Sequence, residues 1–218
     1  YGEDENKIIE LKQYLRDYED KLSSVISLDG RSGANIIRTL FDNINVFKNP
    51  KTPYILEEIL SFVISDNDIV LDFFSGSATT AHAIMNMNVS DNGNRIYIMV
   101  QLPELVKKDG EGAKAGYRTI DQIGMERILR ASKKIKEDTP DTTVDLGFRH
   151  FTLAEPSGTT LDKLEEFSPD DNGMYVTHTI LDDFGVPTVL ATWLMRDGYG
   201  FTASVEAIDF AGYTGYYM

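Results

Sequence analysis

The chain has 218 residues, with 21 basic and 35 acidic side chains and a formal net charge of −14. Its 42% hydrophobic and 26% charged residues indicate a globular protein rather than a disordered one, and its length suits one large domain or a domain with a small appendage. No apolar run approaches the roughly 20 residues needed to span a bilayer and the polar, acidic first residues do not form a secretory signal, so we expect a cytoplasmic protein with no membrane partner.

The residue types present exclude several kinds of site. The chain has no cysteine, which rules out disulfides, thiolate metal sites and cysteine nucleophiles. His82, His150 and His178 lie far apart in sequence, so we expect no metal site built on imidazole. The chain begins with Tyr1 rather than Met, and we interpret it as a fragment of a longer protein.

Charge is unevenly distributed along the chain. Residues 105–137 carry 9 basic and 5 acidic side chains, whereas residues 138–218 carry 3 basic and 14 acidic ones. Affinity for a polyanion depends on neutralising its phosphates, so if the chain contacts nucleic acid, we expect the contact in the first of these stretches. A solvated helix face is the alternative interpretation of the same basic run.

An apolar stripe marks the first predicted helix, over residues 5–26. Spacings of three and four residues place its members on one helix face: Ile8, Leu11, Leu15, Tyr18, Leu22 and Val25. Such a helix packs on its own domain or docks on a partner subunit, and the pattern leaves both interpretations open. A loop over 29–33 and a short helix over Ala34–Phe41 follow.

The next segment predicts a helix followed by a buried strand. Two prolines keep residues 47–53 out of a helix interior, and Pro53 suits the first turn of a helix over Tyr54–Ile64. The nearly continuous apolar run over 68–74 is typical of a buried parallel strand. The polar turn 75–80 then leads into a helix over Ala81–Met87, with Thr79 or Thr80 as its N-cap.

A second strand completes a β-α-β unit. Asn92 and Gly93 indicate a turn, and Arg95–Val100 is a second buried strand, so the two strands should be parallel with a right-handed crossover. A loop over 105–118 and a helix over Ile120–Glu137 follow. Residues 138–218 predict a small, strand-rich appendage, with strands near 146–152 and 213–217 and a helix near Val189–Met195.

The turn after the first strand is the candidate ligand site. A strand that leads through Gly76 into a helix forms a site at the carboxyl edge of a sheet. Hydroxyls of Ser75, Ser77 and Thr79, with the free N–H groups of the helix start, suit a carboxylate or a phosphate. The turn lacks the lysine of a phosphate-binding loop and the repeated glycines of a nicotinamide fingerprint. A tight turn with no ligand explains the pattern about equally well.

Three segments, in this order, carry a resemblance to a known family. They are Phe47–Pro53 (FKNPKTP), Leu71–Ala83 (LDFFSGSATTAHA) and Arg95–Glu104 (RIYIMVQLPE). Together they resemble the adenine-specific amino-methyltransferases of DNA, above all the modification subunit of type III restriction–modification systems. The helix after Ala115–Ile120 also fits, and the clear likeness covers residues 30–150.

The resemblance implies a fold, a cofactor and an activity. The fold class would be α/β, a partial sheet of the Rossmann-like S-adenosylmethionine-dependent methyltransferases with a small, strand-rich carboxyl-terminal appendage. The parent protein would transfer a methyl group from S-adenosylmethionine to adenine N6 at a specific DNA sequence. We expect an amino-terminal helical segment over 1–43, a cofactor-binding domain over 44–137 and the appendage over 138–218.

The resemblance also implies a set of cofactor-binding residues. Asp72 and Phe73 would line the methionine end, and the turn that follows would wrap the amino-acid carboxylate. Gln101 would hold the ribose and adenine, and the segment around Phe47 would cover the other side. The full set is Phe47, Asn49, Pro50, Lys51, Asp72, Phe73, Ser75, Gly76, Ser77, Thr79, Gln101, Pro103 and Glu104.

Two departures from the family pattern are visible. Ala78 stands where the family has a second glycine. The Asp/Asn-Pro-Pro-aromatic motif that receives the extruded adenine is absent, so no catalytic residue is assigned and we expect the chain alone not to methylate DNA.

The implied partners are DNA, the restriction subunit and a second copy of the parent protein. The candidate DNA contacts are Lys107, Lys108, Lys114 and Arg118. Two other functions stay open: a non-catalytic assembly module built on the Ile8–Val25 stripe, and another Rossmann-like nucleotide binder.

Overall fold

The computed structural model describes residues 22–153, 184–200 and 203–218. The chain divides into two compact units, Tyr1–Arg149 and His150–Met218. The division into segments 1–43, 44–137 and 138–218 stays a prediction about domain organisation.

The predicted first helix lies mostly outside the described residues. Its described end, residues 22–26, is irregular rather than helical, and the Val25 side chain is 77% exposed. Ser23 Oγ donates to the Val25 carbonyl at 2.8 Å and accepts from the Val25 N–H at 3.2 Å. Such local bonds compete with the helical pattern, so the prediction of a helix as far as residue 26 is wrong.

Two short helices precede the sheet. Helix α1, Ser32–Leu40, buries Ile37 and Leu40, and Gly33 lets it approach the next segment closely. A Cβ on Gly33 would lie 2.0 Å from the Pro50 carbonyl oxygen, so no other residue fits this contact. Helix α2, Pro53–Ser61, begins with Pro53 in its first turn as predicted.

The predicted β-α-β unit is confirmed. Strand β1, Ile69–Asp72, pairs in parallel with strand β2, Ile96–Met99, in the register Ile69 to Ile96 through Asp72 to Met99. Helix α3, Thr79–Asp91, connects them and is longer at both ends than predicted. It is buried almost all round, because α2, α5 and β2 all pack against it.

The second half of the first unit supplies the long helix of its core. Helix α4, Glu111–Lys114, and a bridge between Leu105 and Thr119 interrupt the predicted loop 105–118. Helix α5, Ile120–Asp138, follows as predicted. The core combines residues of α1, α3, α5 and the segments between them: Ile37, Leu40, Phe41, Val46, Ala78, Ala81, Met85, Ile123, Ile128, Ala131, Ile135 and Leu146.

One face of the two-stranded sheet packs on this core and the other does not. Successive side chains of a strand point to opposite faces, and Tyr97 and Met99 pack against the core. The opposite face presents Ile69 (63% exposed), Leu71 (56%), Ile96 (44%) and Ile98 (41%). No described residue covers this apolar face.

The second unit contains a helix and a hairpin in its described part. Helix α6, Val186–Arg196, agrees with the predicted helix near Val189–Met195. Strands β3, Glu206–Phe210, and β4, Tyr213–Tyr217, form an antiparallel pair. The predicted strand over 146–152 is wrong, since those residues are irregular, and Leu146 instead packs into the core of the first unit. Among the described helices, none is both long and apolar enough to cross a membrane.

Asn88 ties the end of α3 to the start of β2. Its side chain is 5% exposed, donates through Nδ2 to the Arg95 carbonyl at 2.9 Å and accepts at Oδ1 from the Arg95 N–H at 3.0 Å. Asn92 then ends the helix in a left-handed conformation (φ 57°). One side chain therefore satisfies both backbone groups where the crossover enters the sheet.

We expect Asn88→Ala to lower the free energy of unfolding by about 1–3 kcal/mol, because it leaves two buried backbone groups without partners. Urea unfolding followed by circular dichroism measures this. Asn94→Ala, at an exposed position nearby, is the matched control and should change stability by less than about 0.5 kcal/mol. Equal losses in the two variants would contradict the role of Asn88.

Candidate functional site

The turn between β1 and α3 is built on two left-handed residues. Gly76 has φ 52° and Ala78 has φ 56°, a conformation natural for glycine and strained for alanine. Ala78 occupies the N-cap position of α3, and no side chain caps this helix. The prediction of Thr79 or Thr80 as N-cap is therefore wrong: both lie inside the first turn of the helix.

Asp72, the last residue of β1, fixes both sides of the turn. Its Oδ1 accepts from the Phe74 N–H at 3.1 Å, and its Oδ2 accepts from Thr80 Oγ1 at 2.6 Å. The carboxylate is half-buried. Asp72 thus carries a negative charge at the carboxyl edge of the sheet, held in one orientation by the chain around it.

Gln101 joins the turn to the end of β2. Its Oε1 accepts from the Gly76 N–H at 2.7 Å, and its Nε2 donates to the Leu102 carbonyl at 3.1 Å. Ser75 adds a backbone bond to the Val100 carbonyl at 3.2 Å. Gln101 therefore lies at the turn, with both ends of its amide bonded to the backbone, and its contact with a ribose stays a prediction.

The segment 47–53 lies against the same turn. The Phe47 ring stands 3.5 Å from the point where a Cβ on Gly76 would be, and Thr79 Oγ1 donates to the Lys51 carbonyl at 3.5 Å. Pro50 is buried, Lys51 is exposed, and Asn49 turns the chain with φ 54°. The structure therefore brings two distant parts of the chain to the turn: Lys51 lies 28 residues before Thr79, and Gln101 lies 25 residues after Gly76.

Aromatic rings are exposed at this edge. Phe73 is 61% exposed and Phe74 is 82% exposed, with ring centroids 5.2 Å apart. Pro103 and Glu104 are exposed as well. Among the described contacts, the Glu104 backbone bonds to Ile120 at 2.9 Å, and no hydrogen bond joins the Glu104 side chain to the turn.

Arg127 of α5 is a residue that the sequence analysis missed. It is 0% exposed, and its Nη1 donates to Ser77 Oγ at 2.9 Å and to Thr79 Oγ1 at 2.6 Å. The two predicted hydroxyls are buried and face this guanidinium. A signal was available in the sequence, because Arg127 interrupts the apolar face formed by Ile123, Ile128 and Ala131.

Helix α5 reaches the turn through a glycine. A Cβ on Gly124 would lie 3.2 Å from the Gly76 carbonyl oxygen and 3.5 Å from the Ala78 Cβ. A side chain at this position would push the helix away from the turn. The approach places Arg127, one turn further along α5, at the start of α3.

His82 lies on α3 near this guanidinium. It is 8% exposed, and its Nδ1 has no hydrogen-bond partner. Burial, and then the positive charge of Arg127, lower the pKa of His82 to about 3. The imidazole is therefore neutral at physiological pH. In the part of the chain that the structure describes, no group of three or more His, Asp or Glu side chains could hold a metal ion.

The His82 pKa predicts acid-sensitive stability. In the unfolded chain the His82 imidazole is protonated as the pH falls through about 6.5, whereas in the folded chain it stays neutral until about pH 3. The free energy of unfolding therefore falls as the pH drops through this window. Between pH 7 and pH 5 the free energy of unfolding of the wild type should fall by about 1–2 kcal/mol more than that of His82→Gln. Urea unfolding at the two pH values measures this difference. His150→Gln, at an exposed position, should keep the wild-type pH dependence; equal slopes in all three proteins would contradict the assignment.

The strained alanine predicts a difference between two glycine variants. Ala78→Gly and Ala81→Gly each remove a methyl group that is no more than 2% exposed, but only Ala78 is left-handed. Relief of that conformation should leave Ala78→Gly more stable than Ala81→Gly by about 1–2 kcal/mol. Thermal unfolding compares them, and equal destabilisation would show that Ala78 is not strained.

Two family models match parts of this chain. A DNA methylase family model matches residues 5–134, which is more than half of the chain and includes the whole candidate site. A second model, the C-terminal domain of the type III restriction–modification enzyme EcoP15I, matches residues 184–218 in the second unit.

Three curated relatives are similar over much of the chain. The EcoP15I Mod subunit of Escherichia coli is 39% identical over 98% of this chain and 32% of its own length. The StyLTI Mod subunit of Salmonella typhimurium is 36% identical over 94% of this chain and 34% of its own. The EcoPI Mod subunit of Escherichia phage P1 is 29% identical over 79% of this chain and 26% of its own.

All three are subunits of type III restriction–modification enzymes, and the chain spans about a third of the length of the first two. The turn motif, the segment packed on it and residues 120–134 of the long helix behind it lie within the matched region. The chain belongs to the DNA methylase family.

Proposed function

We propose that this chain forms the S-adenosylmethionine-binding part of a DNA methyltransferase that modifies adenine N6 at a specific site, as the modification subunit of a type III restriction–modification system. The observation that carries the proposal is the turn 72–80, in which Asp72, an uncapped α3 and the Phe47 segment meet at the carboxyl edge of a parallel sheet. Ligands of open α/β sheets bind at this edge.

The groups at the turn fit the chemistry of the cofactor. Asp72 is an acceptor for an ammonium group. The N-terminus of α3 has no side-chain cap, so its first N–H groups suit a carboxylate. The exposed rings of Phe73 and Phe74, with Phe47 beside Gly76, supply flat apolar surface for an adenine ring. Gln101 contributes by shaping the turn, since its amide bonds to Gly76 and Leu102.

When bound, S-adenosylmethionine supplies an electrophilic methyl group on its sulfonium. The residues of this chain hold and orient the molecule that carries it, and orientation of this kind is a large part of rate enhancement. The groups that would receive an extruded adenine and orient its amine are absent from this sequence. The chain therefore binds cofactor and does not by itself complete the transfer.

The proposed DNA contact is the exposed basic stretch before α5. Lys107, Lys108, Lys114 and Arg118 are exposed, and no salt bridge between described residues neutralises them. Charges of this kind position a protein on phosphates without reading sequence. The restriction subunit and a second copy of the parent protein are proposed as its other partners.

Calorimetric titration with S-adenosylmethionine tests the proposal, with NAD and ATP as competing candidates. We expect selective binding of S-adenosylmethionine. Asp72→Asn should weaken it about tenfold or more, because it removes the charge that pairs with the ammonium group while an oxygen remains for the Phe74 N–H.

Asp68→Ala is the matched control, since Asp68 precedes β1 and bonds to the Ser65 N–H at 2.7 Å, at the opposite end of the strand. It should bind the cofactor as the unaltered chain does. Preferential binding of NAD or ATP would favour the general nucleotide binder, and absence of all binding would contradict the proposal.

A further inference from the structure

Arg127 is a buried cation without a carboxylate partner. Its side chain is fully buried, and its hydrogen bonds go to neutral oxygens: Ser77 Oγ at 2.9 Å, Thr79 Oγ1 at 2.6 Å and the Ser77 carbonyl at 3.4 Å. Nε and Nη2 have no hydrogen-bond partner. Among the salt bridges of the described residues, none involves Arg127.

This arrangement costs free energy in the protein without ligand. A buried charge is disfavoured unless an opposite charge and hydrogen bonds compensate it, and burial lowers the pKa of Arg127 to about 10. A methionine of similar volume would fill the space without that cost. The packing of α5 against α3 therefore does not by itself explain an arginine here.

The contacts of the Arg127 guanidinium indicate a role at the turn between β1 and α3. Ser77 and Thr79 flank the left-handed Ala78 and lead into α3, and Arg127 binds the hydroxyls of both. Gly124 brings the same helix against the Gly76 carbonyl. Arg127 thus holds the turn in one conformation and adds a positive charge behind the helix N-terminus, whose dipole has the same sign.

We propose that Arg127 is a positioning residue for the cofactor, whose uncompensated charge is balanced when the amino-acid carboxylate of S-adenosylmethionine occupies the turn. It acts through Ser77 and Thr79, which separate it from the ligand. The inference rests on the proposed function and adds a residue outside the predicted site. His82, which lies close enough to feel the charge of Arg127, is neutral and adds no competing charge.

Two ligands that differ in one group test the inference. S-adenosylmethionine carries the carboxylate, and its decarboxylated form keeps the ammonium and the sulfonium. We expect Arg127→Met to lose about tenfold or more in affinity for S-adenosylmethionine, and to bind the decarboxylated form as the unaltered chain does, within about twofold. Its melting temperature should equal or exceed that of the unaltered chain, because the buried charge is gone.

Matched variants separate charge from packing. Arg130→Met removes a partly exposed arginine of the same helix that pairs with Glu126 and Asp42, and it should leave the preference between the two ligands unchanged. Arg127→Lys and Arg127→Gln both keep a donor near the hydroxyls, and only lysine keeps the charge. The preference for S-adenosylmethionine over its decarboxylated form should persist in Arg127→Lys and fall in Arg127→Gln. This comparison tests the inference if Arg127→Met does not fold.

An equal loss of affinity for both ligands in Arg127→Met, or in Arg127→Gln, would show a purely structural role and overturn the inference. If the unaltered chain binds neither ligand, the proposed function fails, and the inference fails with it. If the unaltered chain binds S-adenosylmethionine and the Arg127 variants keep its preference between the two ligands, the inference about Arg127 is overturned while the proposed function stands.

Discussion

The close approach of helix α5 to the turn after β1 is the constraint on which the rest of the first unit depends. Gly124 permits it, since a Cβ there would lie 3.2 Å from the Gly76 carbonyl, and Arg127 secures it through two hydroxyls. The contact fixes the direction in which the chain leaves the strand and enters α3. It also turns the hydroxyls of Ser77 and Thr79 inward, toward Arg127.

The two-stranded sheet gains its support from one side. A pair of strands is marginal by itself, and here the packing of Tyr97 and Met99 on the hydrophobic core stabilises it. The opposite face leaves Ile69 and Leu71 more than half exposed. Strands of parallel sheets are normally covered on both faces, and their apolar composition is what made both strands recognisable from the sequence. The relatives matched by this chain are about three times as long.

Three residues that are strained or lack hydrogen-bond partners lie around the site. Ala78 is held left-handed, Arg127 is buried without a carboxylate, and His82 is buried with Nδ1 unpartnered. Each of these features costs stability, and the close packing of α3 between its neighbours compensates for them.

Local signals in the sequence predicted most of the elements that the structure describes in the first unit. Pro53 predicted a helix start, continuous apolar runs predicted two parallel strands, and Asn92 and Gly93 predicted the turn between α3 and β2, because these signals are local. The burial predicted for both strands is wrong, since one face of the pair is exposed. The family also followed from short motifs whose spelling needs no tertiary information. The contacts at the site could not be predicted in this way, because they join residues far apart in sequence. Arg127 bonds to Ser77 and Thr79, which lie 50 and 48 positions earlier in the chain, and Gln101 bonds to Gly76. The structure also places Ala78, and not a threonine, at the N-cap of α3, in a left-handed conformation and close to Gly124 of α5.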